Sequence, residues 1–510
     1  MNSPLHLAMT LTGWRRIAAC LAAGAVASLA LPPFGLVPMA LALSYPALCI
    51  AQAATTRQAA LTAGIAGFGW FLASLWWISL SLVTGDSNFW PLLPLPLVGI
   101  PLLLSLFWVP AAAVAHRCAA SPGGRLAALI LGLGLCEWAR GHVATGFPWN
   151  APGYLFDAHL TLLQAASLFG LYGLSLLALA WSLAPAFWLV GQWRLAIALG
   201  LIVPVLAACG MARLAATPTP ADEIPVTVRL VQPAVPQHEK WDRALRPRHL
   251  ARLQELSRTA KPVPPLIIWP ETAFAGLLDR EGDRLHQTAW ETLPFDGWLI
   301  TGVPRFDSQR RLYNSAALIR AEGQVEALYD KQRLVPFGEY VPFRRLFPFA
   351  DALVGPIDFS PGLENRFVPV PGYGNLQLLI CYETLFPGVG RGLDGSDGPR
   401  PDILVNLTND AWFGHTPGPW QHLAQARMRA VEEGLAMIRV ANTGISAGYD
   451  PLGRELARIG LGQSGFADLV VPPPLSATGY ARWREMPLAI LILANLLLVI
   501  RLDRARMIRQ

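Results

Sequence analysis

Apolar positions are distributed along this chain in two distinct ways. Residues 1–212 and 486–500 hold nearly all the long uncharged runs, whereas the segment between them alternates short apolar runs with turn residues and charged, helix-length stretches. An apolar helix needs about 20 residues to cross a bilayer. Eight runs approach that length, at about 16–32, 36–53, 58–83, 91–115, 125–142, 160–189, 195–212 and 485–501. Their order predicts seven spans (1–213), a large domain (214–483) and an eighth span with a tail (484–510). The first run, "RRIAACLAAGAVASLALPPFG", has the basic start and small residues of a cleavable leader, but six more runs follow directly and an uncleaved helix is expected.

Arginine sets the expected orientation. Arg15 and Arg16 precede the first run; Arg57, Arg117 with Arg125, and Arg194 fall in every second loop; Arg501, Arg504, Arg506 and Arg509 follow the last. Basic loops stay in the cytoplasm, so both termini are expected there and the large domain on the opposite side. Composition agrees with a membrane protein, at 53% hydrophobic and 15% charged residues and a mean hydropathy of +0.39. The net charge of +6 is largely this topogenic arginine, so no nucleic-acid surface is inferred from it.

In the central segment, "VTVRLVQP", "PLIIWPE", "GWLITGVP", "YNSAALIR", "LQLLICYE", "DILVNLTND", "AMIRVANTG" and "FADLVVP" read as strands, with helical patterns at 238–260 and 419–434. Mixed strands and helices predict layered α/β architecture. Three runs end abruptly in polar or reactive groups: Leu266 to Ile268 before Glu271, Leu378 to Ile380 before Cys381, Tyr382 and Glu383, and Ile403 to Val405 before Asn406 to Asp410. Functional groups gather beyond the carboxyl ends of strands in such sheets, a pattern that proposes, without proving, that Glu271 and Cys381 meet in space.

Five of the six cysteines, at 20, 49, 118, 136 and 209, lie in or beside apolar runs, and only Cys381 belongs to the polar half. An unpaired thiol facing an oxidising compartment is either buried and inert or used. A used thiol needs a base or cation to supply thiolate. Glu271, after a stiffening proline, suits a base, and Lys331, in "YDKQRLVPFGEYVPF", suits an oxyanion partner. Taken singly, Glu271 is also an ordinary turn residue, Lys331 an ordinary solvated lysine and Cys381 an ordinary core thiol. His238, His249, His286, His415 and His422 stand at no strand end, and no spacing among them suggests a metal site.

Taken together, "WPE", "YDKQRLVPFGEYVPF" and "LLICYE" in that order resemble the Glu-Lys-Cys triad of the nitrilase superfamily. With "VQPAVPQHEKWD", "NLTNDAWFG", "GPWQHLAQARMRA", "NTGISA" and the seven-plus-one arrangement of apolar runs, the whole chain resembles the bacterial apolipoprotein N-acyltransferase family. That resemblance implies a nitrilase-like αββα sandwich outside the cytoplasm of a bacterial inner membrane, on the periplasmic side. It implies Cys381 as the nucleophile that takes an acyl chain from a phospholipid as a thioester, Glu271 as general base and later acid, and Lys331 as oxyanion stabiliser. It gives Trp241, Glu339, Tyr382 and Glu383 supporting or substrate-binding roles. The acceptor it implies is the amino terminus of a diacylglyceryl-cysteine apolipoprotein, in ping-pong order, with no metal or cofactor. A membrane-tethered amidase passing the acyl group to water, and a transporter with a large external domain, are the alternatives.

Residues 335–359, rich in apolar side chains and proline, are expected to form a mobile arm at the bilayer with Arg344 and Arg345 at the headgroups, and 411–420 a second such loop. Glu137 and Arg140 are the unusual charges of the apolar half, and are either functional or a helix-end ion pair.

Overall fold

The computed structural model describes residues 11–84, 90–217, 226–346, 357–363, 367–391 and 400–507. The chain divides into two compact units, one of residues 1–83, 88–217 and 482–510, the other of 84–87 and 218–481.

The first unit is helical. Among the described residues, five helical runs are long and apolar enough to cross a membrane: Thr56–Leu82, Trp90–Cys118, Ala166–Leu189, Trp193–Ala216 and Met486–Arg504. The other three expected spans are helical but fall short of that standard. Gly13–Ala27 has 15 residues, Val37–Ala51 is a shorter apolar helix, and Pro122–Arg140 carries Arg125, Glu137 and Arg140. Small residues let neighbouring backbones meet: a Cβ on Gly24 would stand 2.0 Å from the Ala66 carbonyl oxygen, and one on Gly69 would stand 2.1 Å from that of Leu21. The buried Glu137 and Arg140 pair with each other, Nη2 to Oε2, at 2.5 Å. Trp108 Nε1 donates to the other Glu137 oxygen at 2.9 Å, and Arg140 Nη1 donates to the carbonyls of Phe147 and Trp149. This ion pair therefore anchors the loop that follows its own helix.

The second unit is built on two six-stranded sheets. In chain order the strands are β1 (Val226–Gln232), β2 (Leu266–Ile268), β3 (Trp298–Phe306), β4 (Leu312–Arg320), β5 (Val325–Asp330), β6 (Val368–Val370), β7 (Gly374–Ile380), β8 (Ile403–Thr408), β9 (Ala436–Ala441), β10 (Ser446–Tyr449), β11 (Glu455–Ile459) and β12 (Gly465–Val471). One sheet runs β12-β1-β2-β3-β4-β5 and the other β11-β10-β9-β8-β7-β6. In each, three central strands are parallel, β1 to β3 and β7 to β9, and the flanking strands are antiparallel.

Alternation along the strands explains the layering. Leu266 and Ile268, Leu378 and Ile380, Ile403 and Val405, and Ile438 and Val440 meet in one core shared by both sheets. The intervening Ile267 and Trp269 face a second core with Leu253 and Leu285 of helices Arg246–Arg258 and Leu278–Thr292. Leu379, Leu404 and Met437 face a third with Leu423 and Ala426 of helix Pro417–Glu433. Strands buried on both faces read as unbroken apolar runs, and the result is a four-layer αββα sandwich.

Two expectations need adjusting, and a third falls partly outside what the structure describes. The helical pattern of 238–260 yields a helix only over Arg246–Arg258, with turns before it. Helix Leu278–Thr292 and strands β5, β6, β10 and β11 were not singled out by pattern. Of the expected arm, residues 347–356 lie outside the described residues.

Candidate active site

Strand ends bring the expected groups together. Trp269 and Pro270 follow β2 and turn the chain so that Glu271 comes off its carboxyl end. This turn lies against β3 at Gly302, where a Cβ would stand 2.2 Å from Thr272 N and 2.6 Å from Glu271 Cα, so only glycine admits the approach. Lys331 directly follows β5, with its N–H donating to the Asn314 carbonyl of β4 at 2.8 Å. Cys381 directly follows β7 and opens a short 3-10 turn, Cys381–Leu385. Its φ of +50° is a left-handed value that a residue with a Cβ holds only under constraint.

The carboxylates and the ammonium form one buried network. Lys331 Nζ donates to Glu339 Oε1 at 2.9 Å and stands 3.8 Å from Glu271 Oε1. Asn314 Nδ2 donates to both acids, to Glu271 Oε1 at 2.8 Å and Glu339 Oε1 at 2.9 Å. Val335 N donates to the other oxygen of Glu339 at 2.8 Å. Lys331 is 1% exposed, so it is not the solvated lysine of the plain alternative.

Electrostatics divides the labour. Burial, with a contribution from the Glu339 charge, holds the Glu271 carboxyl above its usual range despite the pull of Lys331. Burial opposes the charge on Lys331, but Glu339 and Glu271 outweigh it and keep the ammonium protonated well beyond its ordinary range. Burial and the charge of Glu271 push the half-buried Cys381 thiol up to about 12, against the pull of Lys331. At neutral pH the site therefore holds a thiol, not a thiolate, beside a carboxyl able to take its proton.

The four supporting residues separate. Glu339 belongs to the network just described. Glu383 is fully buried and accepts from Tyr329 OH at 2.9 Å, Gln332 N at 2.7 Å, Arg333 N at 3.1 Å and Ile380 N at 2.7 Å. It thus ties the backbone after Lys331 and the Tyr329 side chain before it to the residue preceding Cys381. Tyr382 is buried and packs edge-on against Phe386, with ring centroids 5.2 Å apart. Trp241 is about half exposed, as are Phe337 and Trp412, and Phe343 is more so.

Sequence reading missed several groups here. Lys240 is buried and donates from Nζ to the Glu271 carbonyl at 3.0 Å, and burial lowers its pKa to about 8. Asn314 bridges the two acids. His422, passed over for lack of a strand end, has Nε2 3.1 Å from the Cys381 carbonyl. The only local signal was the place of Lys240 beside Trp241, and of His422 in "GPWQHLAQARMRA".

Comparison with known proteins adds the following. Residues 227–466 match the carbon-nitrogen hydrolase family model, and residues 23–184 match that of the apolipoprotein N-acyltransferase N-terminal domain. An apolipoprotein N-acyltransferase of Rhodopseudomonas palustris is 37% identical over 521 residues, spanning 96% of this chain and 95% of that protein. One of Bradyrhizobium diazoefficiens is 38% identical over 528 residues, spanning 98% and 97%. Among solved structures, the amidase from Nesterenkonia sp. AN1 is 19% identical with a TM-score of 0.37, over 50% of this chain and 93% of its own.

Proposed function

Because the chain belongs to the apolipoprotein N-acyltransferase family, we propose that it transfers an acyl chain from a phospholipid, through a thioester on Cys381, to the α-amino group of a diacylglyceryl-cysteine apolipoprotein. The observation that carries this reading is the buried network in which Lys331 and Asn314 hold Glu271 and Glu339 together while Glu271 and Lys331 act on the Cys381 thiol.

In the first half-reaction Glu271 takes the thiol proton as sulfur attacks the ester carbonyl, and Lys331 stabilises the oxyanion that forms. Glu271 then returns the proton to the departing lysophospholipid oxygen, leaving the thioester. In the second, the neutral α-amine attacks, Glu271 accepts an amine proton, and the sulfur leaves with a proton as the amide forms. A carboxyl raised by burial suits both duties, since it must give the proton back as readily as it takes it. Neither half-reaction calls for a metal or cofactor. In this reading Glu339 orients Lys331, Glu383 and Tyr382 hold the nucleophile turn, and exposed Trp241, Phe337, Phe343 and Trp412 offer apolar surface to lipid.

Five apolar helices among the described residues, each long enough to cross a bilayer, make the chain a membrane protein. We further propose an inner-membrane location with residues 1–213 and 484–510 as the eight-span anchor, residues 214–483 on the periplasmic side and both termini in the cytoplasm, as the arginine distribution favours.

The test is incubation of the purified protein with acyl-labelled phospholipid, followed by addition of a diacylated lipopeptide with a free amine. Hydroxylamine-labile label on Cys381 that moves to the peptide amine is expected. Transfer by Cys381→Ala overturns the mechanism, and label that leaves only to water makes the protein a hydrolase.

A further inference from the structure

Behind Cys381 lies a buried cluster that the proposed reaction does not use. His422, on helix Pro417–Glu433, places Nε2 3.1 Å from the Cys381 carbonyl oxygen and 3.1 Å from Thr384 Oγ1. The Thr384 hydroxyl donates to the same carbonyl at 3.1 Å. The other ring nitrogen, Nδ1, is 2.9 Å from Asp410 Oδ1 and 3.1 Å from Arg439 Nη2. Arg439 donates in turn to Asp410 Oδ2 and Asn406 Oδ1, each at 2.6 Å, and Asn406 Nδ2 donates to the Leu379 carbonyl at 3.2 Å. His422, Asp410, Arg439 and Asn406 are all 1% exposed or less. Beyond the backbone ladder that pairs β7 with β8 and β8 with β9, these side chains fasten the end of β7 to both strands and to the helix.

This fastening meets a need of the backbone. Cys381 holds a φ of +50°, and a non-glycine residue stays there only where its surroundings over-determine it. Glu383 fixes the residue before it, through Ile380 N. The Cys381 carbonyl is fixed from the far side by His422 and Thr384. The imidazole can play this part only with a hydrogen on Nε2, since otherwise two lone pairs face each other at 3.1 Å. At Nδ1, Arg439 Nη2 at 3.1 Å can only donate and goes with that tautomer, whereas the Asp410 carboxylate oxygen at 2.9 Å can only accept and calls for a hydrogen on Nδ1 as well. A second proton at Nδ1, toward Asp410, leaves the Nε2 donor in place.

We propose that His422, held by Asp410 and Arg439, is a positioning residue that grips the Cys381 carbonyl and so fixes the left-handed turn presenting the thiol to Glu271 and Lys331. This rests on the reading of Cys381 as nucleophile. Small displacements of a reacting atom are expensive, about 10²-fold in rate per ångström.

The experiment uses the full chain in detergent. It reads kcat and KM for acyl transfer from phospholipid to a diacylated lipopeptide, and the alkylation rate of Cys381 by iodoacetamide, followed on the peptide that contains it. His422→Ala is expected to lower kcat about 10²-fold with KM little changed, and to slow alkylation in parallel. His422→Gln keeps an amide N–H within reach of the carbonyl and is expected to restore most of both rates. Thr384→Val, which deletes the second donor at nearly constant volume, is expected to lower both by a smaller factor. Unaltered kcat and alkylation in His422→Ala overturn the proposal. If that variant does not fold, His422→Gln and Thr384→Val decide: a dead His422→Gln beside a fully active Thr384→Val also overturns it. Transfer by Cys381→Ala overturns instead the reading on which the proposal rests.

Discussion

Lys331 Nζ donates to Glu339 Oε1 at 2.9 Å but stands 3.8 Å from Glu271 Oε1. The ammonium is shared unequally, and the acid expected to carry the proton is the less neutralised of the two. Asn314 evens this only partly, because its Nδ2 serves both acids. A carboxylate with a strong local partner is a weak base, so placing the close ion pair on Glu339 keeps Glu271 basic enough to act.

Glu339→Gln removes a charge that raises the Glu271 carboxyl and leaves Lys331 to Glu271 alone, so the Glu271 pKa falls. Glu271 must be ionised to accept a proton. The acid limb of the kcat/KM profile is therefore expected to move to lower pH, with the plateau reduced about 10²-fold by the weaker base and displaced lysine. An acid limb that stays in place or moves up contradicts this arrangement.

Gly302→Ala sets a Cβ against backbone rather than a flexible side chain, 2.2 Å from Thr272 N and 2.6 Å from Glu271 Cα. The turn bearing Glu271 must shift. A stability loss of about 1–3 kcal/mol is expected, together with slowed thioester formation in single-turnover assays. Wild-type acylation rates in this variant would show that the close approach is immaterial.

Burial works against the charge of Asp410, but Arg439 and His422 outweigh it and hold the carboxyl at about 2. Its folded pKa lies below the unfolded value of 3.8, so the stabilisation is present above pH about 4 and is lost as pH falls toward 2. The shift corresponds to about 2 kcal/mol. Asp410→Asn is expected to lower stability at pH 6 and to flatten the acid dependence between pH 4 and 2, read from unfolding curves of the detergent-solubilised protein. Parallel wild-type and variant curves would remove Asp410 from this account.

Glu137 and Arg140 test a buried ion pair in the helical unit. Removing either partner leaves an uncompensated charge and is expected to cost about 3–5 kcal/mol, whereas Glu137→Leu with Arg140→Leu recovers part of it. Recovery is incomplete, because the carbonyls of Phe147 and Trp149 also lose their donor. Thermal unfolding of the two single variants and the double variant in detergent measures the coupling; strict additivity would mean that the pair does not act as a unit.

Legibility followed burial and sequence distance. Strands β2, β7, β8 and β9 were readable because both of their faces are buried, which leaves continuous apolar runs such as Leu378-Leu379-Ile380. In contrast β11, "ELARI", exposes Glu455 and Leu456, and β10, "SAGY", is too small in its side chains to stand out from a turn. At the site, Glu271 and Cys381 were visible as abrupt endings of apolar strands. Lys240, Asn314 and His422 were not, since they meet Glu271 or Cys381 across 31, 43 and 41 residues. Proximity of that kind is created by the sandwich and leaves no local trace. In the helical unit, 125–142 reads as a span from its apolar stretch, and the helix is Pro122–Arg140, whose Arg140 turns inward to pair with Glu137 and bind its own following loop.

β1 pairs along its whole length with β12, Val226 opposite Val471 and Gln232 opposite Gly465. The first strand of the catalytic unit to leave the ribosome thus waits for the last before its outer edge is closed, and every residue of the Glu271, Lys331 and Cys381 site is made in between. A chain cut short anywhere before 465 keeps β1 as an open edge, which invites association with other chains. Synthesis order and strand order together make synthesis through β12 a condition for a finished sheet.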